Sequence, residues 1–309
     1  MILIIGDVHW KSKQPYRKKI GEYFDWLYKT YSTATVIFTG DFFDKSNPHS
    51  EDEIDEALDY ILRFPDVHIV TGNHELSSRT GNPLAPLNRI ANLHIYKKPT
   101  EVELEGNKFL FLPYLYNVKR MKEQYEALTN EVDYVVSHVA YPGTNRGSID
   151  EINLSNIKAK TWFYGHIHDP KDIGNHHLVG VPNTTRHGEQ DWQKRIVIIE
   201  DKQFRFENTK DFITFETINF GEEPASKDSI LNVLEAPTVG SVLKRYKGYY
   251  IRPQGIKLKD EVDSKVTYNE QKQFLDFSLE SNFEEFKKEL EIRKPVLNKI
   301  EELFVLVPN

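Results

Sequence analysis

Short runs of β-branched and aromatic residues alternate with longer amphipathic stretches from the N-terminus to residue 206. Six runs have the length and composition of buried strands, and they occupy residues 2–5, 35–38, 67–70, 109–112, 133–136 and 161–164. Apolar residues recur at helical spacing in three longer stretches and one short one, which cover residues 16–31, 51–64, 118–130 and 83–90. The alternation predicts an α/β fold in which helices flank a β-sheet.

Two further runs, at 195–199 and 204–206, have the pattern of a β-hairpin. Hairpin strands pair in antiparallel fashion, so they predict either one mixed sheet or a sandwich of two mixed sheets. The pattern alone does not choose between these two arrangements. We therefore predict an α/β (α+β) domain over residues 1–208.

The pattern changes near residue 210. A strand at 212–220, a helix at 226–235 and another strand at 249–252 are predicted there. Together they indicate a small α+β capping domain over 209–256.

The last segment, 257–309, is rich in charge and then amphipathic. Pro295 fits the first turn of a new helix better than a helix interior, so we predict a pair of helices on either side of it. Each predicted helix has an apolar stripe at spacings of three and four residues. The stripe residues are Phe283, Phe286, Leu290, Leu297, Ile300 and Phe304. Such stripes pack on their own domain or bind a partner's groove or coiled coil, and both alternatives stay open.

Charge and composition narrow the chemistry of the chain. The 309 residues have a net charge of -7 at pH 7, so the molecule as a whole repels a polyanion and any nucleic acid must be held locally. There is no cysteine, which leaves His, Asp, Glu and Asn as the strong metal ligands. No apolar run approaches the length of a membrane span or of a signal peptide core, so we expect a cytoplasmic protein.

Five times, an apolar strand leads directly into a polar residue that can bind a metal ion. The five segments are 4–9 (IIGDVH), 38–44 (FTGDFFD), 70–75 (VTGNHE), 135–138 (VVSH) and 164–168 (YGHIH). Strands that end at one edge of a sheet place such residues around a single crevice, where open α/β sheets bind their ligands. In four segments a glycine precedes the candidate ligand and permits a tight turn and close backbone approach. The set predicts a metal site.

In this order, GDxH, GDxxD, GNH(D/E), a single His and GHxH resemble the signature of the calcineurin-like metallophosphoesterase superfamily. The resemblance implies a sandwich of mixed β-sheets flanked by helices, with two divalent metal ions. By that resemblance, the ligands of the first ion are Asp7, His9, Asp41 and His168. The ligands of the second ion are Asp41, which bridges, and Asn73, His138 and His166. His74 matches a histidine that lies beside the metals, and Asp44 matches the acid that orients it.

The chemistry expected of this site is hydrolysis of a phosphodiester. Nitrogen and oxygen ligands without thiolate suit Mn²⁺, with Fe and Zn as alternatives. Paired metal ions activate a water and clamp the attacking and leaving oxygens. We expect His74, kept protonated by Asp44, to donate a proton to the leaving oxygen.

Within the superfamily, the chain is most similar to SbcD-type nucleases, the nuclease subunits of double-strand-break processing complexes, and to phage recombination endonucleases. The similarity rests on residues 93–114, on residues 178–189, and on the order of catalytic domain, cap and helix pair. It implies a DNA exonuclease or endonuclease in a bacterial or phage-infected cell. It also implies an SbcC-like ABC ATPase that binds the C-terminal helices, and raises a homodimer as a further assembly. Glu75 and Trp10 depart from the residues that these nucleases more often have.

Other functions stay open. Protein phosphatases follow GDxxD with Arg-Gly, whereas Lys45 and Ser46 follow here, so the arginine that grips phosphate is missing. A small-molecule or nucleotide phosphodiesterase needs the same metals without the helix pair, and it is the main alternative. A scaffold subunit without activity is less compatible with a complete ligand set and an intact His74.

A basic segment follows the first motif and supplies candidates for binding DNA phosphates. The candidates in this segment are Lys11, Lys13, Arg17, Lys18 and Lys19, and Arg186 in the turn at 182–186 is a further candidate. The alternative for this segment is the solvated first turn of a helix.

Overall fold

The structure is a computed structural model, and it describes residues 1–11, 15–44, 51–75, 84, 87, 89–115, 117–139, 141, 152–227 and 229–258. The chain divides into two compact units, Met1–Thr214 and Phe215–Asn309. The predicted helix pair beyond residue 257 and most of the short helix predicted at 83–90 lie outside the described residues. None of the described helices is both long and apolar enough to span a membrane.

The first unit contains a six-stranded mixed sheet in the order β12-β11-β1-β2-β3-β4. These strands are β1 (Ile2–Ile5), β2 (Thr35–Phe38), β3 (Asp66–Val70), β4 (Leu93–Tyr96), β11 (Arg195–Glu200) and β12 (Gln203–Asn208). Strands β1 to β4 are parallel, and the β11–β12 hairpin joins β1 in antiparallel pairing. Helix α1 (Tyr16–Tyr31) connects β1 to β2, and helix α2 (Glu51–Ile61) connects β2 to β3. Because the connections are helical, β1, β2 and β3 end at the same edge.

A second mixed sheet of six strands has the order β5-β6-β7-β8-β10-β9. Its strands are β5 (Thr100–Leu104), β6 (Asn107–Leu112), β7 (Glu131–Ser137), β8 (Lys158–Tyr164), β9 (Lys171–Ile173) and β10 (His176–Leu178). Strands β6, β7, β8 and β10 are parallel, with an antiparallel strand at each edge. Helix α3 (Val118–Glu126) connects β6 to β7.

The two sheets share one apolar core, which identifies a sandwich. Ile4 of the first sheet and Phe111, Val136 and Phe163 of the second belong to the same buried cluster. The opposite face of the second sheet packs against helix α3 through Met121 and neighbouring residues. The structure therefore has the sandwich of two mixed sheets that was one of the two predicted arrangements.

The second unit contains a parallel sheet of β13 (Phe215–Asn219), β14 (Ile230–Ala236) and β15 (Tyr250–Leu258), with helix α4 (Val239–Arg245) between β14 and β15. The predicted helix at 226–235 is therefore wrong, because that segment supplies the central strand β14. A central strand covered on both faces is apolar at consecutive positions, so its pattern resembles that of a buried helix. The helix begins after Thr238, where Thr238 and Ser241 form a capping box.

Candidate metal centre

Seven candidate ligands follow the carboxyl ends of strands from both sheets and form one connected cluster. Asp7 and His9 follow β1, Asp41 follows β2, Asn73 follows β3, His138 follows β7, and His166 and His168 follow β8. All of these side chains are buried or half-buried. The sandwich therefore brings together the ligands that the sequence predicts, from segments as far apart as residues 7 and 168.

The first ligand group consists of Asp7, His9 and His168, whose ligand atoms lie within 4.8 Å of one another. Nε2 of His9 and Nε2 of His168 are 2.9 Å apart, and Asp7 Oδ2 lies 3.8 Å from Nε2 of His168. Nδ1 of His168 donates a hydrogen bond of 2.6 Å to Glu189 Oε1. This bond leaves the lone pair of His168 on Nε2, the nitrogen that faces the rest of the group.

The second group consists of Asp41, His138 and His166, again within 4.8 Å, with Asn73 beside it. Nδ1 of His138 donates to the carbonyl of Thr39 at 3.0 Å, so the neutral imidazole has its lone pair on Nε2. That nitrogen lies 3.3 Å from Asp41 Oδ2 and 3.2 Å from Asn73 Oδ1. Nδ1 of His166 lies 2.9 Å from the same Asn73 oxygen. The two groups divide the ligands as the resemblance implies for two ions, except that Asp41, the expected bridging ligand, belongs to the second group alone.

Unsatisfied buried atoms test whether these residues fit divalent cations. Asp7 Oδ2 and His9 Nδ1 are buried and have no hydrogen-bond partner within the described residues. The paired Nε2 atoms of His9 and His168 are as close as two ligands of one ion, since bonds of about 2.0–2.2 Å place neighbouring ligand atoms roughly 3 Å apart. The donors are imidazole, carboxylate and amide groups. The site therefore fits transition-metal cations of the Mn²⁺, Fe or Zn class.

The carboxylates make this point of the molecule strongly favourable for positive charge. Burial opposes a charged imidazole, yet the Asp41 and Asp7 carboxylates raise the pKa of His138 to about 10. Burial likewise opposes a charged Asp41, but the nearby His138 holds the pKa of that carboxyl well below its usual range. A cation placed between these groups gains from the same field.

Three of the ligands have backbone conformations that are uncommon for residues other than glycine. The φ angles are 49° at His9, 47° at Asp41 and 68° at His166, all in the left-handed region. Each such residue costs roughly 1–3 kcal/mol, and residues of this kind concentrate at functional sites. The ligand loops are therefore held in shape by the surrounding fold.

Gly72 shows why the loops need glycine before the ligand. A Cβ atom at Gly72 would lie 2.2 Å from Asp41 Oδ1 and 2.8 Å from His138 Nε2. Any side chain there would occupy the space in which these two ligands approach each other. The requirement that the sequence indicates for close backbone approach is thus met at this glycine.

His74 lies beside the second group, where its Nε2 is 3.8 Å from Asp41 Oδ2. Its Nδ1 donates a hydrogen bond of 2.5 Å to the main-chain carbonyl of Asp44. The Asp44 carboxylate points elsewhere, with Oδ1 at 3.7 Å from His9 Nδ1 and 3.6 Å from Lys11 Nζ. Asp44 therefore orients His74 through its backbone and leaves Nε2 as the nitrogen that can exchange a proton.

Two buried glutamates support the ligands, and the sequence did not assign a role to either. Glu75 accepts hydrogen bonds from the backbone N–H groups of Asp41, Phe43 and Gly72 at 3.0, 3.1 and 2.6 Å. It thereby ties the loop after β2 to the loop after β3. The motif position after His74 is the signal for Glu75 in the sequence.

Glu189 is the second of these glutamates. Besides His168, it accepts bonds from the backbone N–H and the hydroxyl of Thr185, both at 2.8 Å. Burial opposes its charge, yet the bond from His168 and those from Thr185 lower the pKa of Glu189 to about 2. It is therefore an anionic anchor for His168, and no spacing rule in the sequence points to it.

Two of the DNA-binding candidates lie next to the metal centre. Nζ of Lys11 donates to the carbonyl of Thr185 at 2.5 Å in addition to its contact with Asp44. Nε of Arg186 donates to Glu189 Oε1 at 2.8 Å, and the Arg186 side chain is 58% exposed. Arg186 thus presents a guanidinium to solvent at the edge of the first ligand group.

The candidates on helix α1 are engaged with acidic side chains. Arg17 forms an ion pair with Glu56. Nζ of Lys18 and Nζ of Lys19 lie 3.8 and 3.1 Å from Glu22 carboxylate oxygens. Lys19 is largely buried, whereas Lys18 is exposed.

The remaining predicted site residues lie outside the described residues. They are Lys13 and the stripe residues Phe283, Phe286, Leu290, Leu297, Ile300 and Phe304.

Comparison with known proteins places the chain in a family. Similar solved structures include a novel archaeal phosphodiesterase and a protein of unknown function from Aquifex aeolicus. The first is 15% identical with a TM-score of 0.38, and the match covers 67% of this chain and 99% of the matched chain. The second is 17% identical with a TM-score of 0.31, and the match covers 52% of this chain and 87% of the matched chain. No curated protein has a significantly matching sequence. Residues 1–170 match the model of the calcineurin-like phosphoesterase family, and the chain therefore belongs to that family.

Proposed function

We propose that this protein is a metal-dependent phosphodiesterase that cleaves DNA, with the role of an SbcD-like nuclease in a recombination and double-strand-break processing complex. The observation that carries the hydrolytic part is the pair of ligand groups at one edge of the sandwich, in a chain of the calcineurin-like phosphoesterase family. The DNA part rests on the similarity of residues 93–114 and 178–189 to SbcD-type nucleases.

Each ligand group would hold one divalent cation, and Mn²⁺ is the ion that we propose, with Fe or Zn as alternatives. Bound cations would polarise the phosphate and activate a water. The chain keeps its own ligands in the correct tautomer, because Thr39 and Glu189 fix the protons of His138 and His168 on Nδ1.

His74 would protonate the leaving oxygen. Its Nδ1 is held by the Asp44 carbonyl, so Nε2 is the nitrogen that can deliver a proton. Nε2 faces the second ligand group, on the side of Asp41. A positioned general acid contributes on the order of 10²- to 10⁴-fold to such a reaction, most for a poor leaving group such as the sugar oxygen of DNA.

Among the candidates that the structure describes, Arg186 is the one best placed to contact a DNA phosphate. Its guanidinium is exposed beside the first ligand group, and the hydrogen bond from Nε to Glu189 Oε1 at 2.8 Å holds it there. A guanidinium matches the geometry of a phosphate with two parallel donors. With a net charge of -7, the protein depends on such local contacts and on its partner to bind DNA.

A Mn²⁺-supplemented assay on duplex DNA, single-stranded DNA and bis(p-nitrophenyl) phosphate tests the proposal. We expect hydrolysis of DNA as well as of the small diester, and none in excess EDTA. Asp41→Asn or His138→Ala should abolish both activities while leaving the fold largely intact. Activity of either variant, or activity in EDTA, would show that the two ligand groups do not carry the reaction.

A small-molecule or nucleotide phosphodiesterase is the second candidate function. It is favoured by the pairing of Arg17, Lys18 and Lys19 with acidic side chains, which leaves less positive charge for a polyanion. Cleavage of the small diester alone in the same assay would support this candidate over the nuclease.

The proposed partner is an SbcC-like ABC ATPase that binds the C-terminal helices, and a homodimer is a further proposed assembly. Both proposals rest on the sequence resemblance, as does the cytoplasm of a bacterial or phage-infected cell as the site of action. Co-purification with the ATPase tests the first proposal, and the mass of the purified protein in solution tests the second.

A further inference from the structure

A second cluster of possible metal ligands lies on strands β3 and β4, apart from the candidate metal centre. It consists of Asp66, His68 and His94, whose ligand atoms lie within 4.8 Å of one another. Asp66 begins β3, whereas Asn73 of the metal centre follows the opposite end of that strand. The cluster is therefore a separate site, at the opposite end of β3 from the metal centre.

The backbone places all three side chains on one face. Asp66 and His68 are two residues apart on β3, so they project to the same side, and His94 is the parallel partner of His68 on β4. Val70 continues that face on β3 and belongs to the core between the two sheets. The three polar side chains therefore lie on the face of the sheet that is otherwise apolar, next to edge strand β4.

The atoms of the cluster converge on the Asp66 carboxylate. Nε2 of His68 lies 2.9 Å from Asp66 Oδ2, and Nε2 of His94 lies 3.0 Å from Asp66 Oδ1. The two imidazole rings stack with their centroids 4.8 Å apart. Ligand atoms bound at about 2.0–2.2 Å to one cation lie roughly 3 Å apart, so the spacing suits a common ion. Without an ion, the two Nε2 atoms donate to the carboxylate; with an ion bound, each imidazole would carry its proton on Nδ1 and turn its Nε2 lone pair to the ion.

Tyr96 completes the arrangement around His68. Its hydroxyl lies 2.8 Å from Nδ1 of His68, so it can donate to that nitrogen while Nε2 bonds to Asp66 and accept the Nδ1 proton when Nε2 binds an ion. The side chains of His94 and Asp66 are 44% and 34% exposed, so water can reach the cluster and fill a fourth coordination position.

We propose that Asp66, His68 and His94 bind one divalent transition-metal ion of the Zn²⁺ class. Two imidazoles and one carboxylate suit Zn²⁺, Ni²⁺ or Cu²⁺ better than Mg²⁺ or Ca²⁺, which prefer oxygen ligands alone. The ion would join edge strand β4 to β3. Because Tyr96 also accepts hydrogen bonds from the backbone and hydroxyl of Thr71 through its carbonyl, the site would stiffen the start of the loop that supplies Asn73.

The test counts Zn²⁺ ions on the full chain. Metal-free wild type, His94→Gln and the matched control His187→Gln are loaded with Zn²⁺, separated from free metal and analysed for zinc. We expect His94→Gln to hold about one equivalent fewer than both wild type and the control, as for loss of one ligand from a three-ligand site. Hydrolysis of bis(p-nitrophenyl) phosphate with Mn²⁺ should be unchanged, because His94 lies outside the metal centre.

Co²⁺ titration provides a second measurement with an optical signal from the ion. Tyr96→Phe should weaken binding at this site by about 10- to 100-fold, as for loss of an outer hydrogen bond to a ligand histidine. Equal zinc content in wild type and His94→Gln, with equal Co²⁺ spectra, would show that the cluster is a hydrogen-bonded network only and would overturn the proposal. Should His94→Gln lose hydrolysis as well, the zinc content of Asp66→Asn decides by the same comparison.

Discussion

Glu189 is not a predicted metal ligand, but it controls the orientation of His168, which is one. Its carboxylate accepts the Nδ1 proton of His168 and three further bonds from Thr185 and the backbone N–H of Arg186. The glutamate therefore fixes both the tautomer and the orientation of a ligand. No feature of the sequence predicts this contact, because it joins residues 168 and 189 through the shape of a buried turn.

We predict that Glu189→Gln lowers the affinity for Mn²⁺ by about 10- to 100-fold, because an uncharged amide binds the His168 proton less firmly. Calorimetric titration of the metal-free protein with Mn²⁺ measures the change. Glu200→Gln, which removes an exposed carboxylate from the end of β11, is the control and should bind as wild type does. An unchanged affinity in Glu189→Gln would mean that His168 needs no such anchor.

His74 and Asp44 should differ sharply on substitution. His74→Ala should keep the metal ions yet reduce turnover on DNA by about 10²- to 10⁴-fold, because the general acid is removed. Asp44→Asn should lose far less, since the carbonyl that holds His74 belongs to the main chain.

Turnover of the two variants on DNA and their metal content distinguish these roles. A loss of metal from His74→Ala would make His74 a ligand. A loss in Asp44→Asn as large as that in His74→Ala would instead show that the carboxylate itself is required.

At the scale of helices and strands, the predictions were correct where the hydrophobic pattern fits one type of element only. Helix α1 and strand β1 have the predicted bounds, because α1 presents one apolar face and β1 is a short buried run followed by glycine. The prediction for 226–235 failed because residues 230–233 of β14 are all buried, which removes the alternation that marks a strand. The capping box after Pro237 was the available signal that a helix begins later.

That capping box supports a prediction for the second unit. Thr238→Ala should lower the free energy of unfolding of this unit by about 1 kcal/mol, because the backbone N–H of Ser241 loses its acceptor. Thr238→Ser retains the hydroxyl and should restore most of the stability. Denaturant titration followed by circular dichroism measures both variants, and equal stability of Thr238→Ala and wild type would contradict the role of the cap.

At the scale of the whole molecule, the sequence predicts which residues meet but not how the layers are arranged. Ligand identity follows from strand ends and glycines, which are local features. The choice between one mixed sheet and two depends on pairings such as β1 with β11, which join segments almost 200 residues apart in the chain. Such long-range pairing depends on how complete sheets pack together, so the local hydrophobic pattern does not predict it.

The partner proposal is tested in the full chain by charge within the apolar stripes. Phe286→Glu and Ile300→Glu should leave the melting temperature and small-diester hydrolysis unchanged and abolish co-purification with an SbcC-like ATPase, because a buried charge disrupts an apolar interface. Lys288→Glu, outside the stripes, is the control. A markedly lower melting temperature would instead place the stripes in the core of this protein.

The two ligand groups also have a mechanical consequence. Asp7, His9 and Asp41 belong to loops of the first sheet, whereas His138, His166 and His168 belong to loops of the second, so each group spans both layers. Any ion bound there would cross-link the two sheets. At a free ion concentration 100 times its dissociation constant, binding would stabilise the native state by about 2.7 kcal/mol. Amide hydrogen exchange should therefore slow on Mn²⁺ loading in β1 and β8 alike, with little change in β13 to β15. Slower exchange in only one of the two sheets would show that the bound ion does not hold the sheets together.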